Sequence, residues 1–408
     1  MKAWWTPRRW IEEFWKDWTI NWLKSWELKD SLNITEIEEK ITEEWLKKSS
    51  ATLFKKWTLL IAMYWATAWE VWILWVDSST NQAVCSIIPK IEINKNYLFW
   101  ILFLYRQKIK SETFWWAQPN ISKDYLDNLK IPLPSLEIQN QIVEKMDFAL
   151  GEKKRKELEA KTLLESIDDF VLSELWIEYK EVEEKKVFGL KLSELWETKR
   201  LDPSYNFPKY LEFDKSLKNW KYQVSKIWDV SKSIFQWSWI KKWDNNIWYL
   251  KVKNLDFNNI IDFEDIDYTS NVSVDKILQN WDILSPFIWE AVKKIKFTVF
   301  ENNSEKVFSI DNNTWVIRLK NTNPYFVAIF LSWISWKIQI EKLIGWWWVP
   351  FLWAESAKNL QIPLPPLEIQ EKIALEVKTR IEKAKVLESE AREIYESAKR
   401  EVEGMILD

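Results

Sequence analysis

The sequence has no histidine and a single cysteine, Cys85. The first absence removes Ser-His-Asp and Cys-His triads, histidine general bases and histidine metal ligands together. The second excludes an internal disulfide and a multi-cysteine zinc site and fits a reducing compartment, so a cytoplasmic location is expected. Long apolar runs are missing too. The most apolar windows, 59–76 and 97–105, are broken by polar residues or too short to cross a bilayer, and the opening MKAWWTPRRW lacks the apolar core of a signal peptide. No membrane partner is expected. No GxxxxGKS or GxxxxGKT loop occurs, which argues against ATP hydrolysis by this chain.

Glycine is the third scarcity. Four occur in 408 residues, where average usage of about 7% corresponds to roughly 29. Tryptophan, at 33 residues, is in excess by a similar amount. The runs Trp4-Trp5-Thr6-Pro7, Trp65-Ala66-Thr67-Ala68-Trp69 and Trp346-Trp347-Trp348-Val349-Pro350 read as glycine-rich turns, which need positive φ or close backbone approach. We read the composition as a codon difference: UGA, glycine in some bacterial lineages, written as tryptophan by another code table. A chain made literally as written carries a cost of about 1–2 kcal/mol at each left-handed position. Summed over many positions this exceeds a typical domain stability of about 5–15 kcal/mol, so such a chain is expected to misfold. Trp15 and Trp22 suit strand and core positions and read as true tryptophans, whereas Trp100 is open.

What is present points to more than one domain. The length suggests two or three, and 47% hydrophobic with 29% charged residues fits a folded globular chain. Residues 128–142 (NLKIPLPSLEIQNQI) and 359–373 (NLQIPLPPLEIQEKI) are identical at 11 of 15 positions, at a constant offset of 231. The match extends upstream, aligning Trp115-Trp116-Ala117-Gln118-Pro119 with Trp346-Trp347-Trp348-Val349-Pro350. Two fainter matches pair 57–65 with 281–289, and Asn96-Tyr97-Leu98-Phe99 with Asn323-Pro324-Tyr325-Phe326.

The layout is therefore lobe, helix, lobe, helix. Each PLP segment is expected to be an extended brace, because proline blocks helix and restricts the residue before it. A helix follows each brace. In the second, Ile369, Ile373, Val377, Ile381, Ala384, Leu387, Ala391 and Ile394 recur every three or four residues as a coiled-coil stripe. The first is looser, with Ile138, Ile142, Met146 and Ile167 on its stripe. Neither helix can bury its stripe alone, so the two are expected to pack on each other, antiparallel, as a rod of about 60 Å. The expected fold is α+β: two strand-rich lobes in tandem pseudo-repeat, joined by two long helices forming an antiparallel coiled coil. The expected boundaries are a first lobe at 1–134 and a first helix at 135–180. Linker and second lobe follow at 181–358, with brace and second helix at 359–408.

Charge is segregated along this layout. The whole chain is at −3, but residues 1–134 carry +2 and 190–365 carry +3, while the helical stretches 135–189 and 366–408 carry −5 and −3. Lobes of mild positive charge grip a polyanion only if that charge lies on one face.

Read with glycine for most tryptophans, the chain resembles the specificity subunits of type I restriction-modification enzymes. The runs that carry the resemblance are 2–28, 38–89, 115–143, 281–295 and 345–373, and the paired PLP-LE-Q braces leading into long helices are its most specific part. The resemblance implies that each lobe is a target recognition domain reading one half of a split double-stranded DNA site. The two helices would set the half-site spacing. Modification subunits, two of them, would bring S-adenosylmethionine, and a restriction subunit would bring ATP, Mg and translocation. No cofactor, metal or catalytic residue is expected on this chain. The expected DNA contacts in the first lobe are Arg8, Arg9, Lys16 and Lys24, with Ser25, Tyr64, Thr67, Asn81 and Gln82 at base edges. In the second lobe they are Lys241, Lys242, Lys251, Lys253, Lys293, Lys294 and Lys296, with Gln236, Ser238 and Asn254. The plainer reading of each is ordinary surface or turn polarity.

One departure concerns the first lobe, which begins almost at its first turn, while the second has a leading stretch at 222–235. A first strand is expected to be missing, through a misplaced start or a truncation. Asn323-Pro324-Tyr325-Phe326 resembles the motif with which amino-methyltransferases hold their target amine, but it lacks the second proline and no glycine-rich cofactor loop precedes it. Two rival readings stay open: a coiled-coil scaffold that does not bind DNA, and an orphan recognition subunit without enzyme partners.

Overall fold

A computed structural model describes residues 19–24, 33–34, 37–48, 51–63, 68–81, 83–113, 123–178, 187–198, 201, 205–217, 219–236, 247–255, 261–263, 266–269, 276–286, 297–311, 313–333, 336–344 and 357–407. The chain divides into two compact units, Met1–Lys156 with Ser389–Asp408, and Glu157–Glu388. The division cuts through both long helices, so each unit holds one lobe and one end of each helix.

In the first unit, β1 (Ile20–Leu23) pairs antiparallel with β3 (Lys40–Ile41) and parallel with β7 (Ser78–Thr80), and β7 pairs with β4 (Leu53–Phe54). A second sheet runs β2 (Asn33–Ile34), β6 (Val71–Leu74), β5 (Leu59–Ala62), β8 (Val84–Ile87). The apolar run of β5 is explained by burial on both faces. Leu59 and Ile61 face the helix Lys95–Thr113 and the long helices, while Leu60 and Ala62 face β1 and β4 through Leu23 and Phe54. The period of two is a strand's alternation.

The second unit repeats this plan. Here β11 (Ile247–Leu250) pairs antiparallel with β12 (Asp267–Thr269) and parallel with β15 (Phe308–Ile310). The other sheet runs β10 (Ser231–Gln236), β16 (Thr314–Leu319), β13 (Ile283–Pro286), β14 (Thr298–Val299). Ile283 faces the helices and Leu284 the other sheet, as Leu59 and Leu60 do in the first lobe. Strand β10 pairs along β16 from Ser231↔Leu319 to Gln236↔Trp315. Among the described residues the matching edge of β8 carries no such strand.

The long helices are Leu136–Leu175 and Leu367–Leu407. They run antiparallel within each unit. In the second, Ile167, Val171 and Leu175 share a core with Ile373, Val377 and Ile381. Lys372 Nζ meets Glu174 at 2.7 Å, and Arg380 Nη1 donates to the Ser166 carbonyl at 3.0 Å. In the first, Ile142, Val143, Met146 and Ala149 share a core with Tyr395, Ala398 and Val402, and Lys145 pairs with Glu401. Leu387 packs with Ala160, and Ile138, Ile369 and Ile394 are partly buried against the same cores. Among the described residues no helix is long and apolar enough to cross a membrane.

Candidate nucleic-acid interface

The second brace is extended, as its prolines favour, and the first is neither helix nor strand over residues 129–135. In the second lobe the brace forms β17 (Gln361–Pro363), antiparallel to β9 (Val224–Lys226). In the first, the Tyr97 hydroxyl donates to the Pro132 carbonyl at 2.8 Å. Burial pushes the Tyr97 hydroxyl up to about 12.

After each brace one buried glutamine ties three elements together. Gln139 Oε1 accepts the Asn94 N–H at 2.9 Å, and its Nε2 donates to the Pro134 carbonyl at 2.9 Å. Gln370 Oε1 accepts the Asn323 N–H at 3.0 Å, and its Nε2 donates to the Pro365 carbonyl at 2.8 Å. Each asparagine also caps its lobe helix, Asn94 Oδ1 accepting the Tyr97 N–H at 3.3 Å and Asn323 Oδ1 the Phe326 N–H at 3.1 Å. The residue equivalent to Asn323 is therefore Asn94, two positions before the Asn96 suggested by the sequence match. Capping geometry rather than residue type sets the register. The Asn-Pro-Tyr-Phe segment is a helix start, with its asparagine engaged by Phe326 and Gln370. Sequence reasoning missed the glutamines, although both lie inside the 15-residue repeat.

At equivalent strand ends the two lobes also share a turn. The Asn81 N–H bonds the Leu23 carbonyl at 3.2 Å, and Asn81 Oδ1 accepts the Ala83 N–H at 3.2 Å. The Asp311 N–H bonds the Leu250 carbonyl at 2.9 Å, and Asp311 Oδ1 accepts the Asn313 N–H at 3.1 Å and the Thr314 hydroxyl at 2.7 Å. Burial pushes the Asp311 carboxyl up, against those hydrogen bonds. A lysine follows each of the strands, Lys24 after β1 and Lys251 after β11. The structure thus brings Lys24 and Asn81 to one strand end, and places Lys251, Lys253 and Asn254 on one tight turn.

Several of these residues have structural partners. Lys24 is buried and paired with Glu39. Asn254 is buried, its Oδ1 accepting the Lys251 N–H at 2.9 Å and its Nδ2 donating to the Asp262 carbonyl at 3.2 Å. Gln236 ends β10. Arg8, Arg9, Lys16, Ser25, Tyr64, Thr67, Gln82, Ser238, Lys241, Lys242, Lys293, Lys294 and Lys296 lie outside the described residues. Among the described residues no cluster of metal-ligating side chains occurs. Other cations lie over aromatic rings: Lys306 sits 3.6 Å from the Trp248 ring and Lys276 4.7 Å from that of Phe235.

Comparison with known proteins agrees with this architecture. Residues 6–160 match the family of the type I restriction modification DNA specificity domain. The type I restriction enzyme MjaVIII specificity subunit of Methanocaldococcus jannaschii is 24% identical over 320 residues, covering 76% of this chain and 69% of the relative. A solved chain from work on complex assembly and conformational transition of the type I R-M system aligns with a TM-score of 0.54 at 14% identity, over 95% of this chain and 90% of its own. The S subunit of a type I restriction-modification system from M. genitalium aligns at 0.48 with 12% identity, over 99% and 91%. The fold is thus that of a protein with two strand-rich domains joined by long helices. The chain is similar to the type I restriction-modification DNA specificity domain over residues 6–160 and to a type I specificity subunit over 320 residues.

Proposed function

We propose that this chain reads a bipartite double-stranded DNA site, one half per lobe, for a type I restriction-modification complex. The observation that carries this is the shared plan of the lobes. Each has a strand paired with one antiparallel and one parallel neighbour, a second sheet packed against it, and the same glutamine tie to its end of an antiparallel helix pair. Two readers fixed to one helical ruler give two half-sites at a fixed gap, as dimeric readers do. The strand ends at Lys24–Asn81 and Lys251–Asp311, close in sequence to the candidates Ser25, Gln82, Lys253 and Asn254, are the proposed reading edge of each lobe.

The chain is non-catalytic on this reading and works in the cytoplasm. Two modification subunits supply S-adenosylmethionine chemistry, and a restriction subunit supplies ATP- and Mg-dependent translocation and cleavage. The test is co-expression with the modification subunit and mapping of methylated sites on host DNA. A split motif with a fixed gap is the expected result. A soluble, folded complex that methylates nothing would overturn the reading in favour of an orphan subunit or a scaffold.

A further inference from the structure

Among the described residues, four that are not glycine have a left-handed backbone: Trp57 at φ 69°, Trp69 at 72°, Trp176 at 56° and Trp281 at 78°. All four are tryptophan, which makes up 33 of 408 residues. Asparagine and aspartate, the residues that best tolerate this region after glycine, fill none of them. The glycines behave in the opposite way. Gly151, Gly189 and Gly404 show no left-handed φ, and a Cβ added at any of them meets nothing within 4 Å. Two of these lie inside the long helices, where glycine is disfavoured.

The hydrogen bonds show which residue three of these positions require. Trp57 and Trp281 are third in equivalent four-residue turns, closed by Thr58 N–H to the Lys55 carbonyl at 3.1 Å and by Asp282 N–H to the Gln279 carbonyl at 3.1 Å. Positive φ at that place in a turn selects glycine. Trp176 follows the helix Leu136–Leu175, where the Ile177 N–H bonds the Leu172 carbonyl at 2.9 Å and the Trp176 N–H bonds that of Ser173 at 3.2 Å. This pair of bonds is the Schellman helix ending, whose left-handed residue is usually glycine. The side chains of Trp57, Trp176 and Trp281 offer little return for the strain, being 44%, 68% and 54% exposed, whereas Trp69 is buried and joins the set on its backbone angle alone.

Trp100 is the contrast. It is buried in a helix, and its indole N–H donates to Asp147 Oδ1 at 2.9 Å. We infer that positions 57, 69, 176 and 281 are glycine in the protein the cell makes, from UGA codons that its tRNA reads as glycine, whereas position 100 is tryptophan.

Peptide mass spectrometry of the natural protein tests this. Glycine at 57, 69, 176 and 281 with tryptophan at 100 is the expected result, and tryptophan at any of the four overturns the inference. A second measurement adds W57G, W176G and W281G singly to a background chain in which the other turn tryptophans, among them Trp4, Trp5 and Trp346 to Trp348, have already been replaced by glycine. Relief of left-handed strain raises the thermal midpoint by about 2–4 °C each, and W100G lowers it. A lower midpoint in all three left-handed variants overturns the inference independently.

Discussion

Gln370 does in the second lobe what Gln139 does in the first. Each accepts the N–H of an asparagine that caps the lobe helix and donates to a proline carbonyl of the brace, that of Pro134 or of Pro365, at 2.8–3.0 Å. Both are buried, at 2% and 5% exposure, so no water replaces a lost partner. Gln370→Ala or Gln139→Ala is expected to cost about 2 kcal/mol, two neutral hydrogen bonds with an orphaned buried N–H left behind. Urea unfolding measures it. Methylation mapping would in addition show a loosened gap between half-sites if the glutamine fixes the lobe to the ruler, and an unchanged gap if the residue only stabilises.

The same 15 residues show what was legible in the sequence. The repeat, the braces and the helix stripes were readable because proline and a 3.6-residue period act locally. The two-sided β5 and β13 were readable as apolar runs between turns. The Asn96 alignment slipped by two positions because a cap is defined by a hydrogen bond, and the sequence carries an asparagine at both 94 and 96. The buried ion pair of Lys24 with Glu39 was illegible for a related reason. Nothing local distinguishes a lysine that faces solvent from one folded against a neighbouring strand.

Asp311 and Asn81 occupy one turn position in the two lobes, and their difference makes a prediction. Asp311 is 6% exposed, and burial raises its carboxyl above the ordinary range. A raised folded value favours the folded state only below the unfolded value, and that advantage is lost as pH rises through the folded value. At neutral pH the ionised Asp311 therefore weighs against folding. Asp311→Asn keeps the Oδ1 acceptor for Asn313 and Thr314 and removes the buried charge. Its stability at pH 7 is expected to equal or exceed that of the parent, with the difference shrinking toward pH 4, as denaturant midpoints across that range would show.

Tyr97 gives the alkaline counterpart. Its hydroxyl is pushed up to about 12 from an ordinary 10 by burial. Stability from the neutral hydroxyl is complete below pH 10 and is lost as pH rises through about 12. Tyr97→Phe removes the bond to Pro132, at about 1 kcal/mol, and flattens the stability curve between pH 10 and 12. The second lobe already has this arrangement, because Phe326 occupies the matching helix position. An unchanged alkaline slope in the variant would show that another group governs it.

The last prediction concerns affinity. The second lobe carries a net +3 over residues 190–365, so on the proposed reading its grip on DNA comes from lysines gathered on one face. Loss of a lysine that neutralises a phosphate weakens binding evenly across sequences and lowers the salt slope by about 1. The double variant Lys241→Ala with Lys242→Ala is therefore expected to lower the slope of log Kd against log salt by up to about 2 while the mapped motif stays the same. A base-reading residue behaves differently. Its loss relaxes one position of one half-site, at about 1–3 kcal/mol, and leaves the salt slope intact. Binding measured at several salt concentrations on specific and scrambled duplexes separates the two roles. A slope unchanged by the double lysine variant would remove this pair from the proposed DNA face and leave Lys251, Lys253, Lys293, Lys294 and Lys296 as the candidate phosphate contacts of that lobe.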